Sequence, residues 1–580
     1  MRLFQLNLKV LFFILADMTK KNLLLWSVLI FNLCFGLQAQ KATPPLEIPL
    51  LLSGNFGEFR GSHFHAGLDI KTKGRQGFKV KSILAGSIKR IKVSTSGYGK
   101  TVYIEHANGT TSVYAHLQKF APKIEKIIKE KQYQKQSFLV QSYLKSNELV
   151  VKQGEVIGYS GNTGGSLGPH LHFELRDSKS QMPLNPLTLN FDIQDTQRPV
   201  VRNVYYYNLD DSLQEKKQEI PLVRKNDSLY TTDIQNWFGK KGIGIRMYDR
   251  QDLSYNKNGI YQIKVLLNGK ETIKYSFDSI SFDDGKLIST LIDYATYKTE
   301  GFRIQKLFRD LPHWMSFLPQ EAPNGIMNFE ENRSYQLQII LEDFHGNKTY
   351  IESYINGTKA TAEISDKNKN LNLVKPELDY LFEFDGKSVY LPKNTFYETV
   401  NFPIRATKDS LYIPSEENAV FNAFEIEFDA PPVDSQKSNP WCIALVNKNG
   451  ELNYSYTKLE EGKLKTKVKS PGTYVLTRDT LGPTITPQNF KPKQWMSNYS
   501  YLKIKIDDDF SGIKKYRATI NDQWILLEHE PKRKMLTYNF EDIDFKNFKL
   551  NLKIEVEDQQ GNVSNYETVV FRKPAKKNLK

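Results

Sequence analysis

Residues 161–177 read GNTGGSLGPHLHFELRD, and this stretch constrains the fold more than any other. A glycine-rich loop runs through Pro169 into a short segment with strand-like alternation. Side chains alternate faces along a strand, so His170 and His172 point the same way, while Phe173 and Leu175 suit a packed sheet. Two imidazoles beside a flexible loop are how a metal site or an acid/base pair is built. Paired histidines of an ordinary sheet fit the same residues, so the rest of the chain has to decide.

Upstream, residues 41–60 lead into HFHAGLDI. His63, His65 and Asp69 stand at even spacings, so an extended segment presents all three on one face. His65 and Asp69 also share a face on a helix, but Gly61, Gly67 and the following KTKGRQG favour strand and loop. Val80 to Leu117 reads as short strands, with Asn108-Gly109 supplying the positive φ of a tight hairpin turn. Along the return arm, Ser112, Tyr114 and His116 are expected on one face. Ile124, Ile127 and Ile128 form an apolar stripe at helical spacing, which predicts a short helix at the cleft rim or a solvated connector. Gly161, Gly164, Gly165 and Gly168 make either a plain connector or a loop whose backbone meets a ligand closely. No GKS or GKT follows, so it is not a phosphate loop.

The 580 residues are enough for several domains, and their many Tyr, Phe and turn residues predict a mainly β chain. The formal charge is +15, and residues 41–192 carry 21 Lys/Arg against 11 Asp/Glu. That basic excess implies an anionic partner. Recognition helices, fingers and aromatic-basic RNA motifs are absent from the sequence, which argues against nucleic acid. Lys20 and Lys21 precede the apolar run Leu23–Leu37, and Leu37-Gln38-Ala39 offers a cleavage site. Residues 1–39 are therefore expected to be an export signal with its start at Met18, leaving no stable membrane span. Cys442 is then the single cysteine of the mature chain, so an internal disulfide is excluded. The expected location is the periplasm or cell envelope, or the medium.

Taken together, His65xxxAsp69, TSVYAHL around His116, GEVIGYSGNTGGSLGPHLHFELRD and Leu184-Asn185-Pro186 resemble the M23 (LytM/lysostaphin-like) zinc metallopeptidases, in their multidomain exported form. The resemblance covers roughly residues 45–190. It implies an antiparallel-sheet peptidase domain over 40–192, with a short helical insertion at about 119–150. It implies that His65, Asp69 and His172 bind one Zn²⁺, that His116 and His170 are unligated catalytic histidines, and that Gly164, Gly165, Ser166 and Gly168 line the substrate cleft. Two imidazoles and a carboxylate leave a fourth zinc position for water, which agrees with that assignment. His63 competes with His65 on spacing alone; the family pattern selects His65.

From Asp195 the character changes. Asp195-Thr196-Gln197-Arg198-Pro199 recurs as Asp479-Thr480-Leu481-Gly482-Pro483, and Asp343-Phe344-His345-Gly346-Asn347 recurs as Asp558-Gln559-Gln560-Gly561-Asn562. Each pair is expected to open and close an immunoglobulin-like β-sandwich, over 193–357 and 479–572. Residues 358–478 form a further strand-rich module, and 573–580 a basic tail. A helical insertion is predicted near Gly301–Phe317. Asp507, Asp508 and Asp509 fit a solvated turn or a Ca²⁺ ligand set. The resulting expectation is an exported zinc endopeptidase acting on peptidoglycan peptides, with envelope proteins as partners of its later modules. Two alternatives remain open: a non-enzymatic LytM-like factor that activates another wall hydrolase, and an adhesive protein whose sandwiches do the work.

Overall fold

The computed structural model describes residues 41–210, 217–311, 313–319, 321–359, 372–414, 417–432 and 439–573. The expected signal segment and most of the basic tail lie outside these residues. Among the described residues no helix is long and apolar enough to cross a membrane.

The first part of the chain is antiparallel and almost entirely strand. Its elements are β1 (Leu52–Gly54), β2 (Leu68–Lys71), β3 (Lys79–Lys81), β4 (Gly86–Val93), β5 (Lys100–His106), β6 (Thr110–Leu117), β7 (Lys119–Phe120), α1 (Pro122–Lys135), β8 (Val140–Tyr143), β9 (Val150–Val151), β10 (Val156–Tyr159) and β11 (His170–Asp177). The main sheet runs β1-β2-β11-β6-β5-β4-β8, and β3-β10-β7 forms a small second sheet. Two registers matter most: His172 lies opposite Asp69 of β2 on one side and opposite Ala115 of β6 on the other. Directly opposed residues share a face, so the register alone brings His172 to Asp69.

β6 breaks the simple alternation. Lys100 pairs with Leu117 while Val102 pairs with Tyr114, which leaves one extra residue on β6. His116 sits in this bulge with φ +58°. Tyr114 keeps the opposite face, its ring 5.4 Å from that of Phe173. Strict alternation would put His116 on the Tyr114 face, as the sequence suggests. The bulge turns its imidazole over to the His170 and His172 face instead, a re-aiming that bulges commonly perform.

Helix α1 begins with Pro122 in its first turn and ends at Gln136, whose φ of 45° closes it with a left-handed cap. Ile124, Ile128 and Gln132 are buried on its inner side. Its outer side carries the last part of the chain: Lys129 pairs with Asp542, and Tyr133 stacks edge-on against Trp524 at 5.3 Å. The helix thus serves as a platform on which the last part of the chain docks.

Beyond Asp195 the strands form paired sheets. Val200–Asn208 and Gly239–Tyr248 centre one, and Gln262–Leu267, Ser334–Glu342 and Lys348–Gly357 centre its partner. Residues 373–478 contribute two five-stranded sheets with their own core, and 484–571 two four-stranded sheets with theirs. The predicted helix at 301–317 lies upstream instead, as a 3₁₀ stretch Phe282–Leu291 and a helix Tyr294–Glu300. Gly301, at φ 77°, caps that helix and ends it. Leu307, Phe308, Met315 and Phe317 are buried without forming one.

One apolar core takes in residues from Leu46 to Ile355, and Leu526 from the last sheets, so the first two parts of the chain share it. A polar lock reinforces the seam. Gln251 accepts from Leu52 N at 2.7 Å and donates to Leu50 O at 3.0 Å, and Ser254 Oγ donates to Leu52 O at 2.9 Å. Gln251 is 2% exposed, so its removal strands two buried backbone groups. Gln251→Leu in the full chain is expected to cost about 1–3 kcal/mol of stability, read by denaturant or thermal unfolding; an unchanged midpoint would show the seam to be weak.

Candidate metal centre

His65, Asp69 and His172 bring one ligand atom each to within 4.8 Å of one another, and all three are buried. Asp69 Oδ1 is the hub. It lies 3.1 Å from His65 Nε2, 2.9 Å from His172 Nδ1 and 3.3 Å from His170 Nε2. His65 Nε2 and His172 Nδ1 are 3.1 Å apart. Donors held at about 2.0–2.1 Å by a tetrahedral Zn²⁺ would lie roughly 3.3 Å from each other, so this donor set needs only small adjustments to fit the ion. His63 is outside the group, against Gly285, where an added Cβ would meet its own Cβ at 3.3 Å.

Each donor is oriented by a second contact. His65 Nδ1 donates to Asn55 O at 2.7 Å, which leaves the Nε2 lone pair for the metal. His172 Nε2 faces Glu174 Oε1 at 2.8 Å, which presents Nδ1 inward. Glu174 is fully buried, bonded also to Tyr98 Oη and held by Arg176 Nε at 2.6 Å. Asp69 Oδ2 accepts from Arg60 at 2.9 Å. Asn55, Arg60, Tyr98, Glu174 and Arg176 were not singled out from sequence. For Glu174 and Arg176 the signal was present: residues 170, 172, 174 and 176 share one face of β11.

The catalytic candidates flank this group. His116 Nδ1 faces Thr163 O at 2.8 Å, and its ring is 4.9 Å from that of His170 and 5.7 Å from that of His172. A carbonyl partner fixes the proton on Nδ1, so Nε2 is a lone pair. His170 Nδ1 faces Gly168 O at 2.8 Å and Ser166 Oγ at 3.1 Å. The glycine loop thus holds His170 directly. Gly164, at φ 73°, packs on the Gly97–Gly99 backbone, where a Cβ would meet Gly97 O at 2.4 Å. Gly165 N donates to Gly97 O at 2.7 Å, while Gly168 has open space around it.

Charge follows from burial and neighbours. Burial, then the nearby His172 and His170, hold His116 down at about 3, so it stays neutral. Burial alone would push Asp69 up, but three imidazoles hold it well below the usual carboxylate range. Burial likewise opposes charge on His172, yet Asp69 and Glu174 outweigh it and raise the imidazole to about 9. Burial pushes Glu174 up, while Arg176 and His172 bring it to about 2. Without a cation, the site keeps a proton where the metal would sit.

Residues 63–134 and 126–186 match the family model for peptidase family M23. This segment belongs to that family. The M23 segment is 36% identical over 125 residues to the DD-carboxypeptidase/endopeptidase Mpg of Neisseria meningitidis serogroup B, covering 22% of each chain. It is 31% identical over 125 residues to an uncharacterized metalloprotease of Haemophilus influenzae, covering 22% of this chain and 21% of that one. Among solved structures, the catalytic domain of lysostaphin from Staphylococcus simulans aligns at 26% identity over 24% of this chain and 90% of its own, with a TM-score of 0.18. The match thus spans about a fifth of the curated relatives' length.

The His172–Glu174 pair yields a test. A pKa raised from 6.5 to about 9 stabilises the metal-free fold fully below 6.5, and that contribution is lost as pH rises through about 9. Glu174→Gln is expected to flatten this loss in melts of the metal-free chain, and to weaken zinc binding by about 10–100-fold. An unchanged pH profile together with unchanged metal affinity would show Glu174 to be a bystander.

Proposed function

We propose that the chain is an exported zinc metalloendopeptidase that hydrolyses peptide bonds in peptidoglycan stem peptides or cross-links. The observation that carries this reading is the convergence of His65, Asp69 and His172 on one point, flanked by two further imidazoles. The M23 match and the named activity of the Neisseria relative support the substrate class. We assign the peptidase to residues 40–192, immunoglobulin-like sandwiches to 193–357 and 479–572, and a further module to 358–478.

His65, Asp69 and His172 would hold the ion. Zn²⁺ bound there supplies Lewis-acid polarisation of the scissile carbonyl and lowers the pKa of a water ligand towards about 7. The protein does the rest. Neutral His116, with its lone pair on Nε2, accepts the proton of the attacking water. His170, steadied through Nδ1 by the Gly168 carbonyl, donates a hydrogen bond to the developing oxyanion when protonated at Nε2. Gly164, Gly165, Ser166 and Gly168 form the wall that receives the peptide. The basic surplus of residues 41–192 favours approach to an anionic wall. A non-enzymatic activator would have no need of the full donor set with its oriented neighbours, so the complete set favours the enzyme.

His172→Ala is expected to purify with little zinc and no activity. His170→Ala and His116→Asn are expected to keep nearly one zinc per chain and lose on the order of 10²–10⁴-fold in turnover of purified wall fragments. Asn suits the left-handed backbone at position 116, so fold and metal should survive that change. Metal analysis and muropeptide digestion decide the matter: zinc retained by His172→Ala, or a wild-type zinc-loaded chain that releases no muropeptide, would refute the reading.

A further inference from the structure

A second cluster, sharing no residue with the His65–Asp69–His172 group, lies at the seam between the first two parts of the chain. Asp195, Asp343 and His345 each bring a ligand atom to within 4.8 Å of the others. Beside them is a small cavity of about 20 Å³, room for a single ion or water, lined by Asp195, Asp249, Asn258 and His345. Asp249 and Asn258 are 4% and 5% exposed, yet Oδ1 of each has no hydrogen-bond partner. Two buried oxygens without partners on one ion-sized cavity are costly unless something occupies it.

The electrostatics agree. Burial pushes Asp249 up to about 8, and the strongest charges acting on it are those of Asp195 and Asp343. Burial also raises Asp195 to about 7, with Asp343 and Asp252 adding to it. Carboxylates that face one another in this way either take up protons or hold a cation between them. Asp249 lies outside the Asp195–Asp343–His345 group and joins Asp195 through the cavity they both line. The side-chain donors other than the exposed His345 are oxygens, the type a hard ion takes, and water would have to complete its shell.

We propose that Asp195, Asp249 and Asp343, with the Asn258 side-chain oxygen, form a structural Ca²⁺ site. It is independent of the peptidase reading. The turn that builds it recurs near the C-terminus. Asn347 Nδ2 donates to Asp195 O at 3.1 Å and to Asp343 Oδ2 at 2.7 Å, and Asn562 Nδ2 donates to Asp479 O at 3.3 Å and to Asp558 Oδ2 at 2.7 Å. Asp479 Oδ2 and Asp508 Oδ1 are without partners there too.

The site has a line of contact to the zinc donors. Asp249 and Asn258 pair backbone to backbone, each N–H donating to the other's carbonyl at 2.9 Å, and so close the loop 249–258 at its base. Next in the chain, Gly259 exchanges two hydrogen bonds of 2.8 Å with the Asn55 side chain. Asn55 O is the acceptor that orients His65. An ion at the base of the loop therefore tightens the segment that fixes the His65 tautomer.

The test uses the full chain, stripped of metal, reloaded with Zn²⁺ and titrated with CaCl₂. Wild type is expected to bind Ca²⁺ by calorimetry and to melt several degrees higher in its presence. Asp249→Asn keeps shape and removes charge at an oxygen with no protein partner. It should bind one Ca²⁺ fewer, melt no lower than wild type without Ca²⁺, and melt lower than wild type with it. That crossover distinguishes a cation site from simple damage to the fold. Asp195→Asn should repeat it. No Ca²⁺-dependent shift in wild type, the same stoichiometry in Asp249→Asn, or a variant destabilised equally with and without Ca²⁺ would each overturn the proposal.

Discussion

One carboxylate oxygen organises the first part of this molecule. Asp69 Oδ1 has three imidazole nitrogens within 3.3 Å, and its partner oxygen is taken by Arg60. A buried carboxylate is tolerable only with such company. Everything that supplies it is secured elsewhere: His172 by strand register and Glu174, His65 by the Asn55 carbonyl, His170 by the glycine loop. The fold is thus a device for pointing lone pairs at one place. In the metal-free chain the cost of doing so appears as a proton held by His172, which a metal would have to displace, beside a neutral His116.

The same separation of donor and support explains what the sequence could reveal. His65, Asp69, His170 and His172 were legible because period-two spacing and an antiparallel register are local matters. Glu174 was equally legible by period and was passed over, since a glutamate in a strand carries no motif of its own. His116 was found, but for its face the alternation rule gave the wrong answer. A bulge adds one residue opposite β5, and neither Ala115 nor His116 announces it. Asn55 was beyond reach for another reason. Its side chain is anchored by Gly259, 204 residues away, and no local pattern encodes that pairing. The helix expected at 301–317 failed on a simpler point: Gly301 was read inside the helix when it is the cap that ends it.

Distance along the chain also separates chemistry from positioning. Every group assigned to bond cleavage lies between His65 and His172, yet the surroundings of those groups come from much later residues. Lys100, 6% exposed, has its ammonium paired with Glu528 at 2.9 Å. Lys532 bonds the carbonyls of Asn162 and Ser166, the latter at 3.0 Å. Those two carbonyls belong to the loop that holds His170. The final sheets therefore act on the site through the loop, without contributing a reacting atom.

This arrangement bears on which parts of the molecule are rigid. A glycine loop has little side-chain packing of its own, and Leu167 at its tip is fully exposed. Gly164 is fixed by contact with Gly97 and Gly99, but Gly168 has no neighbour within 4 Å of an added Cβ. The stretch next to His170 is thus steadied by polar contacts: Ser166 Oγ to Gly168 O at 2.7 Å, and Lys532 to Ser166 O. Polar contacts to one surface lysine weaken with salt and are individually modest. His65, by contrast, is held through buried hydrogen bonds and a continuous core. The side that carries the candidate metal donors is accordingly the stiff side of the site. The side that carries His170 is the one the fold leaves adjustable.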